Sequence, residues 1–426
     1  MYPASKSKLN LIRFKMETRK ILMVTTFYPP YHVGGACTHV YYLANELAKR
    51  GHEVHVLYSK DAYYLKRNHK PNRQEYTNHE NVHLHEISTP IGKISPVYSF
   101  VSGLMPFKEE AMKVFNESYD LIHYHNISLL GPKVLSYGNA NKIYTAHDHW
   151  LVCPLSDFFT EGAMCNKNIA PATCSLCLLK NNRPIQLWRH SDLLKKSLKE
   201  IQLVISPSEY LRNFLVKNSI NLPIKVLPNF VPRPPQKIDD NGLSLHYNYF
   251  FYAGMLEERK GIVNLLNAFK DCKDRKLVIA GKGSLEKFTK RFIEINKLEK
   301  NIIYVDWIEG KKIYSYYKNA LAFILPSICP ENSPLTILEA LSTGTPSIGS
   351  SIGGIPEIIS KVDRKLIFNC NDVEELKENI YNFDKSRYKP EELKKIYNEH
   401  YAPEAYIDNY LKLINELPEL RKVTLG

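Results

Sequence analysis

The chain has 426 residues, 44% of them apolar, with a formal charge of +13, which is enough apolar content for two or three domains with their own cores. No run reaches the roughly 18 apolar residues of a membrane-crossing helix, and the opening MYPASKSKLNLIRFKMETRK has no apolar stretch of signal-peptide length, so a soluble cytoplasmic protein is expected. The charge is uneven, 25 Lys and Arg against 16 Asp and Glu in residues 1–200 and 32 against 28 beyond. The first half therefore favours anionic partners, an anionic lipid surface or a phosphorylated substrate. With no aromatic–basic recognition motif or helix-turn-helix spacing, nucleic acid is not expected.

Residues 1–20 read as a basic extension. After them, KILMVTTF, HEVHVLYS, NVHLHEI, YDLIHYHN, KIYTAHDH and QLVISPS are β-branched apolar runs separated by amphipathic stretches such as THVYYLANELAKR. That alternation predicts parallel strands covered by helices, an α/β domain over 21–232. A second series, YNYFFYAGM, KLVIAGKG, NIIYVDWI, ALAFILPS, TPSIGSS and KLIFN, follows the proline-rich LPNFVPRPPQK and predicts another such domain over 233–400. Two doubly wound sheets would then turn the carboxyl ends of their strands, where ligands bind, toward one cleft.

The motifs fall at those strand ends. Gly34 and Gly35 lie between the first strand and first helix, where backbone without a Cβ can approach a ligand, although turns also need glycine. His147, in TAHDHWLVCP, ends the fifth strand and should project into the cleft, with Asp148 as a lesser candidate. His123, His125 and His149 read as structural. Cys153, Cys165, Cys174 and Cys177 follow within an insertion over 151–180. They are a structural zinc site, for which Cys174-x2-Cys177 has the spacing, a set of buried free thiols, or, as a lesser alternative, ligands of an iron–sulfur cluster. Two segments, IGKISPVYSFVSGLMPF and RPIQLWRHSDLLKKSLKE with Trp188, could rest on an anionic membrane or be, respectively, a loop packing on its own domain and an ordinary amphipathic helix.

In the second half, Arg259 and Lys260 of AGMLEERKG could supply charge to phosphates or be solvated cations at a helix start. AGKGS is a further glycine loop or a tight turn. The stretch CPENSPLTILEALSTGTPSIGS predicts a helix with Ser333 as N-cap, Pro334 in the first helical position and a stop near Gly344. Glu331 then lies upstream and Glu339 in the second turn. The free amides of Leu335 and Thr336 sit between them, at an end carrying roughly half a positive charge. Carboxylates accept pairs of hydroxyls, so this pattern suits a ligand with phosphates between two polyols; the alternative is a surface helix with two solvated glutamates. The C-terminal YAPEAYIDNYLKLINEL predicts an amphipathic helix over 401–418 with Tyr406, Tyr410, Leu411 and Ile414 on one side.

Together GGACTHVYYLANELAKRGHEV, YAGMLEERKGIVNLLNAF, PENSPLTILEALSTGTPSIGSSIGGIPEII and KVLPNF resemble glycosyltransferase family 4, the retaining GT-B enzymes. The resemblance implies two Rossmann-like domains facing a cleft, with a glycan or lipid-linked acceptor on the first and a nucleotide-diphosphate sugar on the second. Glu331 would contact the donor sugar, Glu339 the ribose, and the amides of Leu335 and Thr336 the diphosphate, completed by Gly35 and Lys260. His147 would meet the transferred sugar, and the C-terminal helix would cross back onto the first domain. Front-face substitution would need no obligatory metal, the leaving phosphate taking the acceptor proton. One departure is Met255, where many members carry Arg. Other readings are a GT-B sugar-nucleotide epimerase, a glycosidase, and a metal-stapled binding module that leaves E-x7-E idle.

Overall fold

The computed structural model describes residues 18–67, 69–71, 76–238, 248–308 and 310–417; the basic extension lies outside them except for 18–20. The strands are β1 (Lys20–Val24), β2 (Glu53–Ser59), β3 (Val82–Ile87), β4 (Leu121–Tyr124), β5 (Asn141–Thr145), β6 (Phe159–Thr160), β7 (Ala163–Met164), β8 (Leu203–Ser206) and β9 (Ile224–Val226) in the first half. In the second they are β10 (Phe250–Ala253), β11 (Leu277–Ala280), β12 (Ile302–Tyr304), β13 (Phe323–Leu325), β14 (Ser347–Ser350) and β15 (Ile367–Phe368). Among the described residues they form a seven-stranded sheet ordered β3-β2-β1-β4-β5-β8-β9, a six-stranded sheet ordered β12-β11-β10-β13-β14-β15, and the small hairpin β6-β7. Both large sheets are parallel throughout. Each reverses winding beside its first strand, at β1/β4 and at β10/β13, which opens a crevice at the strand ends there.

Continuous apolar runs follow from burial on both faces. Ile21 and Met23 pack in one core with Val40, Leu43, Tyr406 and Tyr410, whereas Leu22 and Val24 pack in another with Ile122, Trp150 and Trp188. The second sheet has a single core around Phe250, Phe251, Ile279 and Ile324. The C-terminal helix, Pro403–Asn415, buries Tyr406, Tyr410, Leu411 and Ile414 in the first domain's core. It thus crosses back, and Arg50 pairs with Asp408 on it. This return is tied to the segment that joins the domains: the Tyr397 hydroxyl donates to Val231 O (2.8 Å), and Arg233 grips the Glu404 carboxylate through two bonds of 3.1 Å.

One expected surface element is different. The segment around Trp188 is not a single amphipathic helix: it breaks into a 3-10 turn, Leu187–His190, and a helix, Leu193–Leu198. Trp188 is buried, and its indole N–H donates to Phe100 O at 2.9 Å. Burial of so large a ring with its one donor satisfied is worth more than a place on the surface. The segment before it forms the helix Ile94–Ser102, which buries Phe100 and exposes Ile94 and Tyr98.

Candidate active site

Gly34 starts the first helix, Gly35–Lys49, at φ +84°, a conformation that favours glycine. A Cβ on Gly35 would lie 3.7 Å from Leu335 Cδ1, so the glycine turn faces the start of the helix Leu335–Ser342 across the cleft. Beside it, His147 follows β5. Its Nε2 is 3.0 Å from His125 Nδ1, and burial lowers its pKa to about 4, leaving a neutral imidazole at physiological pH. Its carbonyl accepts from Asn332 Nδ2 of the second domain at 3.0 Å. Asp148, raised to about 7 by burial, accepts from the Trp150 amide at 2.8 Å and so serves its own turn. His149 is buried against Phe158 and Phe214; His123 and His125 are wholly buried.

The helix start differs from expectation in one respect. Ser333 is not the N-cap: its Oγ accepts from the Asn229 amide (3.1 Å) and its carbonyl from Asn229 Nδ2 (3.0 Å). Pro334 occupies the cap position with extended ψ, and no side chain caps the helix. Spending Ser333 on the interdomain segment leaves the first-turn amides, those of Leu335 and Thr336 included, without an intrahelical partner. The helix stops as the sequence suggests, with Gly344 at φ +82° and its N–H bonded to Leu341 O at 3.0 Å.

The two glutamates on either side have opposite environments. Burial alone would raise the pKa of Glu331, but the Lys260 ammonium, with help from Arg259 and the Ser327 hydroxyl, outweighs it and holds the carboxyl below its usual range. Lys260 Nζ pairs directly with Glu331 Oε1, and Ser327 Oγ donates to the same oxygen at 3.0 Å. Glu339 has no cation partner among the described residues; its Oε2 accepts from the Tyr317 hydroxyl at 2.9 Å, and burial raises its pKa to about 7 against that bond.

Arg259 and Lys260 are held in the 3-10 turn Glu258–Lys260, where Arg259 O accepts from the Ile328 and Cys329 amides at 3.0 and 3.2 Å. Arg259 Nε meets Glu257 at 2.7 Å, so Lys260 is the cation that reaches Glu331. The AGKGS glycines are explained by packing: a Cβ would lie 1.8 Å from Gly254 O at Gly281 and 2.4 Å from Leu256 O at Gly283. Where the resemblance expects Arg, Met255 offers no charge.

The cysteines do not form a preformed cage. Cys153 is buried among Phe27, Leu155 and Leu178, and Cys165, Cys174 and Cys177 are half-buried free thiols. Among the described residues no three of these sulfurs lie within 4.8 Å of one another; the convergent set of potential ligands is Glu53, His55 and His83. That set lies at the other end of the first sheet, and Glu53 there already meets Lys20 Nζ at 3.4 Å.

Sequence reading missed Asn229, Tyr317, Ser327, Asn332 and Glu357. The Glu357 carboxylate accepts from the amides of Glu209 (2.9 Å) and Tyr210 (2.7 Å), so a second-domain side chain takes the first two amides of the first-domain helix Glu209–Lys217, whose own N-cap Ser208 takes that of Leu211. The only signal for it was its place in GGIPEII.

Two facing Rossmann-like domains with a charged helix start between them define a GT-B enzyme. Residues 33–233 match the Glycosyltransferase Family 4 model and residues 235–401 the Glycosyl transferases group 1 model; the chain belongs to this family and is a glycosyltransferase. An uncharacterized glycosyltransferase of Methanocaldococcus jannaschii is 26% identical over 363 residues, 80% of this chain and 82% of that one. The O-antigen chain mannosyltransferase B of Escherichia coli is 25% identical over 203 residues, 44% of this chain and 52% of its own. Sucrose-phosphate synthase from Thermosynechococcus elongatus superposes with a TM-score of 0.71 at 17% identity, over 94% of this chain and 99% of that one. Anabaena HepE in complex with UDP and glucose gives 0.64 at 17% identity, over 93% and 100%.

Proposed function

We propose that the protein transfers a sugar from a nucleotide-diphosphate sugar to a glycan or lipid-linked acceptor with retention of configuration, in the synthesis of a cell-surface polysaccharide or glycoconjugate. The observation that carries this reading is the uncapped start of the helix Leu335–Ser342, flanked by one cation-paired and one unpaired buried carboxylate. The diphosphate would take the Leu335 and Thr336 amides and Lys260, with the Gly34–Gly35 turn opposite and Arg259 adding positive charge nearby. Glu331, kept ionised, would accept hydroxyls of the transferred sugar, and Glu339 those of the ribose. His147, neutral at the cleft floor, would hydrogen-bond the sugar.

Negative charge grows on the leaving diphosphate as the glycosidic bond breaks. Helix amides and Lys260 aimed at that charge stabilise the transition state more than the ground state. The freed phosphate oxygen is then the base nearest the incoming acceptor hydroxyl on the same face of the sugar. In this scheme no metal is required. HepE, whose solved complex holds UDP and glucose, supports a nucleotide sugar as donor, and the mannosyltransferase relative supports a polysaccharide setting.

Among the described residues no helix is long and apolar enough to cross a membrane. Peripheral contact with the inner face of a membrane is supported by exposed Ile94, Tyr98, Leu104, Phe107 and Leu187 near the basic run Lys195, Lys196 and Lys199. Failure to co-sediment with anionic vesicles at low salt would remove it. The donor reading is tested by calorimetry with UDP-, GDP- and ADP-sugars on wild type and Glu339→Ala. One nucleotide class should bind, about tenfold more weakly in the variant, or ~1.4 kcal/mol; no binding to the folded wild type would overturn it.

A further inference from the structure

Beneath the cleft floor lie four histidines: His39 on the first helix, His123 on β4, His125 just after it, and His147 after β5. The first three are fully buried. Burial, ahead of their mutual repulsion, lowers the pKa of His39, His123 and His125 well below the ordinary value. Each ring is therefore neutral, with one N–H and one bare nitrogen. Two of them are anchored by the C-terminal helix: Tyr406 OH is 3.2 Å from His39 Nε2 and Tyr410 OH 2.8 Å from His123 Nδ1. His123 Nε2 also meets Thr145 Oγ1 at 2.7 Å, so both of its nitrogens are used.

His125 is different. Its ring lies 3.9 Å from that of His123 and 5.3 Å from that of His147, centroid to centroid. Its Nδ1 contacts His147 Nε2 at 3.0 Å, while its own Nε2 is buried without a partner among the described residues. Two protonation patterns satisfy the His125–His147 bond. With the His125 proton on Nε2, a buried N–H is orphaned and Nδ1 accepts from His147. With the proton on Nδ1, only a lone pair is orphaned, and Nδ1–H donates to His147 Nε2. Orphaned buried donors are the rarer defect, which favours the second pattern. The hydrogen bond at one imidazole nitrogen decides what the other carries, so the His147 proton then sits on Nδ1, the nitrogen without a partner among the described residues.

We propose that His125 is a positioning residue that holds His147 as the Nδ1–H tautomer, so that the cleft floor offers a hydrogen-bond donor to an oxygen of the transferred sugar. This rests on the sugar-contacting role given to His147 above. It also gives the C-terminal helix a route to the site, because Tyr410 bonds His123, whose ring lies against that of His125.

Long-range proton–nitrogen correlation spectra of the full-length ¹⁵N-histidine-labelled protein read the tautomer directly, with His147 identified by its absence from His147→Gln. Wild type should show Nδ1–H. In His125→Phe, which removes the donor, His147 should shift toward Nε2–H and kcat should fall about tenfold to a hundredfold with donor KM nearly unchanged. His125→Asn, whose amide N–H can reach the same place, should restore the tautomer and most of kcat. An Nε2–H tautomer in wild type overturns the proposal, and so does an unchanged tautomer in His125→Phe. Equal losses in the Phe and Asn variants that follow their melting temperatures would reduce His125 to packing. A switched tautomer with unchanged kcat would leave the tautomer control standing and remove the sugar contact of His147. If His125→Phe does not fold, the wild-type spectrum and His125→Asn still decide between the patterns.

Discussion

The two walls of the cleft use opposite chemistry. The second-domain wall is ionic: a helix start, Lys260 against Glu331, and a second buried carboxylate on Tyr317. The first-domain wall is neutral, with a glycine turn and stacked imidazoles whose charged forms burial disfavours. A charge in a low-dielectric site must be paired, whereas a neutral ring can be buried if its nitrogens are bonded. In the proposed scheme the second-domain wall would take the diphosphate and sugar hydroxyls through charged groups, and the first-domain wall would add only neutral hydrogen bonds to the sugar.

Breaking the ionic wall should have the largest effect. Lys260→Ala strands the Glu331 carboxylate and, in the proposed scheme, removes a diphosphate contact; kcat/KM should fall by a factor on the order of 10³, with a stability loss of up to about 3 kcal/mol. The double variant Lys260→Met/Glu331→Gln should regain most of the stability in chemical denaturation and none of the activity. Glu331→Gln alone should lower kcat roughly a hundredfold and leave binding of the free nucleoside diphosphate nearly intact, since the sugar is its partner in this scheme.

Titration sharpens the contrast between the two glutamates. The folded-state pKa of Glu339 is raised from 4.5 to about 7, so its contribution to stability is fully present below pH 4.5 and is lost as pH rises through about 7. The melting temperature of Glu339→Gln relative to wild type should therefore climb between those pH values in the ligand-free protein. The difference should narrow when a nucleoside diphosphate supplies hydroxyls to the ionised carboxylate. His147, lowered from 6.5 to about 4, has the opposite sign: its contribution is present above pH 6.5 and is lost as pH falls through about 4. The smallest effect belongs to the contact that joins the walls. Glu357→Ala frees the Glu209 and Tyr210 amides while Ser208 still caps the helix Glu209–Lys217, and should cost about 1 kcal/mol, read as a modest fall in melting temperature.

Strands were legible where burial is continuous, as in β1 and β10, whose central residues touch no water. Short β9, which runs into KVLPNF, and the β6-β7 hairpin in the cysteine insertion leave no such mark, because two or three residues give too little periodicity. Glu331, Glu339, Lys260 and His147 stand out in the sequence because strand ends and a helix start are local features. Tyr317, Ser327, Asn332 and Glu357 do not, since a tyrosine, a serine or an asparagine in an apolar neighbourhood reads as ordinary core or turn until its partner is known. Ser333 shows the same limit. Its local pattern predicts a cap, and only the approach of Asn229, 104 residues away in sequence, makes another bond available to it.

By itself the sequence determined which segments become strands and helices, where a helix begins without an intrahelical partner for its amides, and which residue types stand at those ends. These follow from periodicity and from φ and N–H constraints that act over a few residues. Tertiary structure alone decided that Glu331 is paired and Glu339 is not, that the four cysteines fail to converge, and that the hydroxyls of the C-terminal helix reach the histidines under the cleft. Charge state and hydrogen-bond direction depend on desolvation and on partners brought from distant parts of the chain, and no local pattern carries that information.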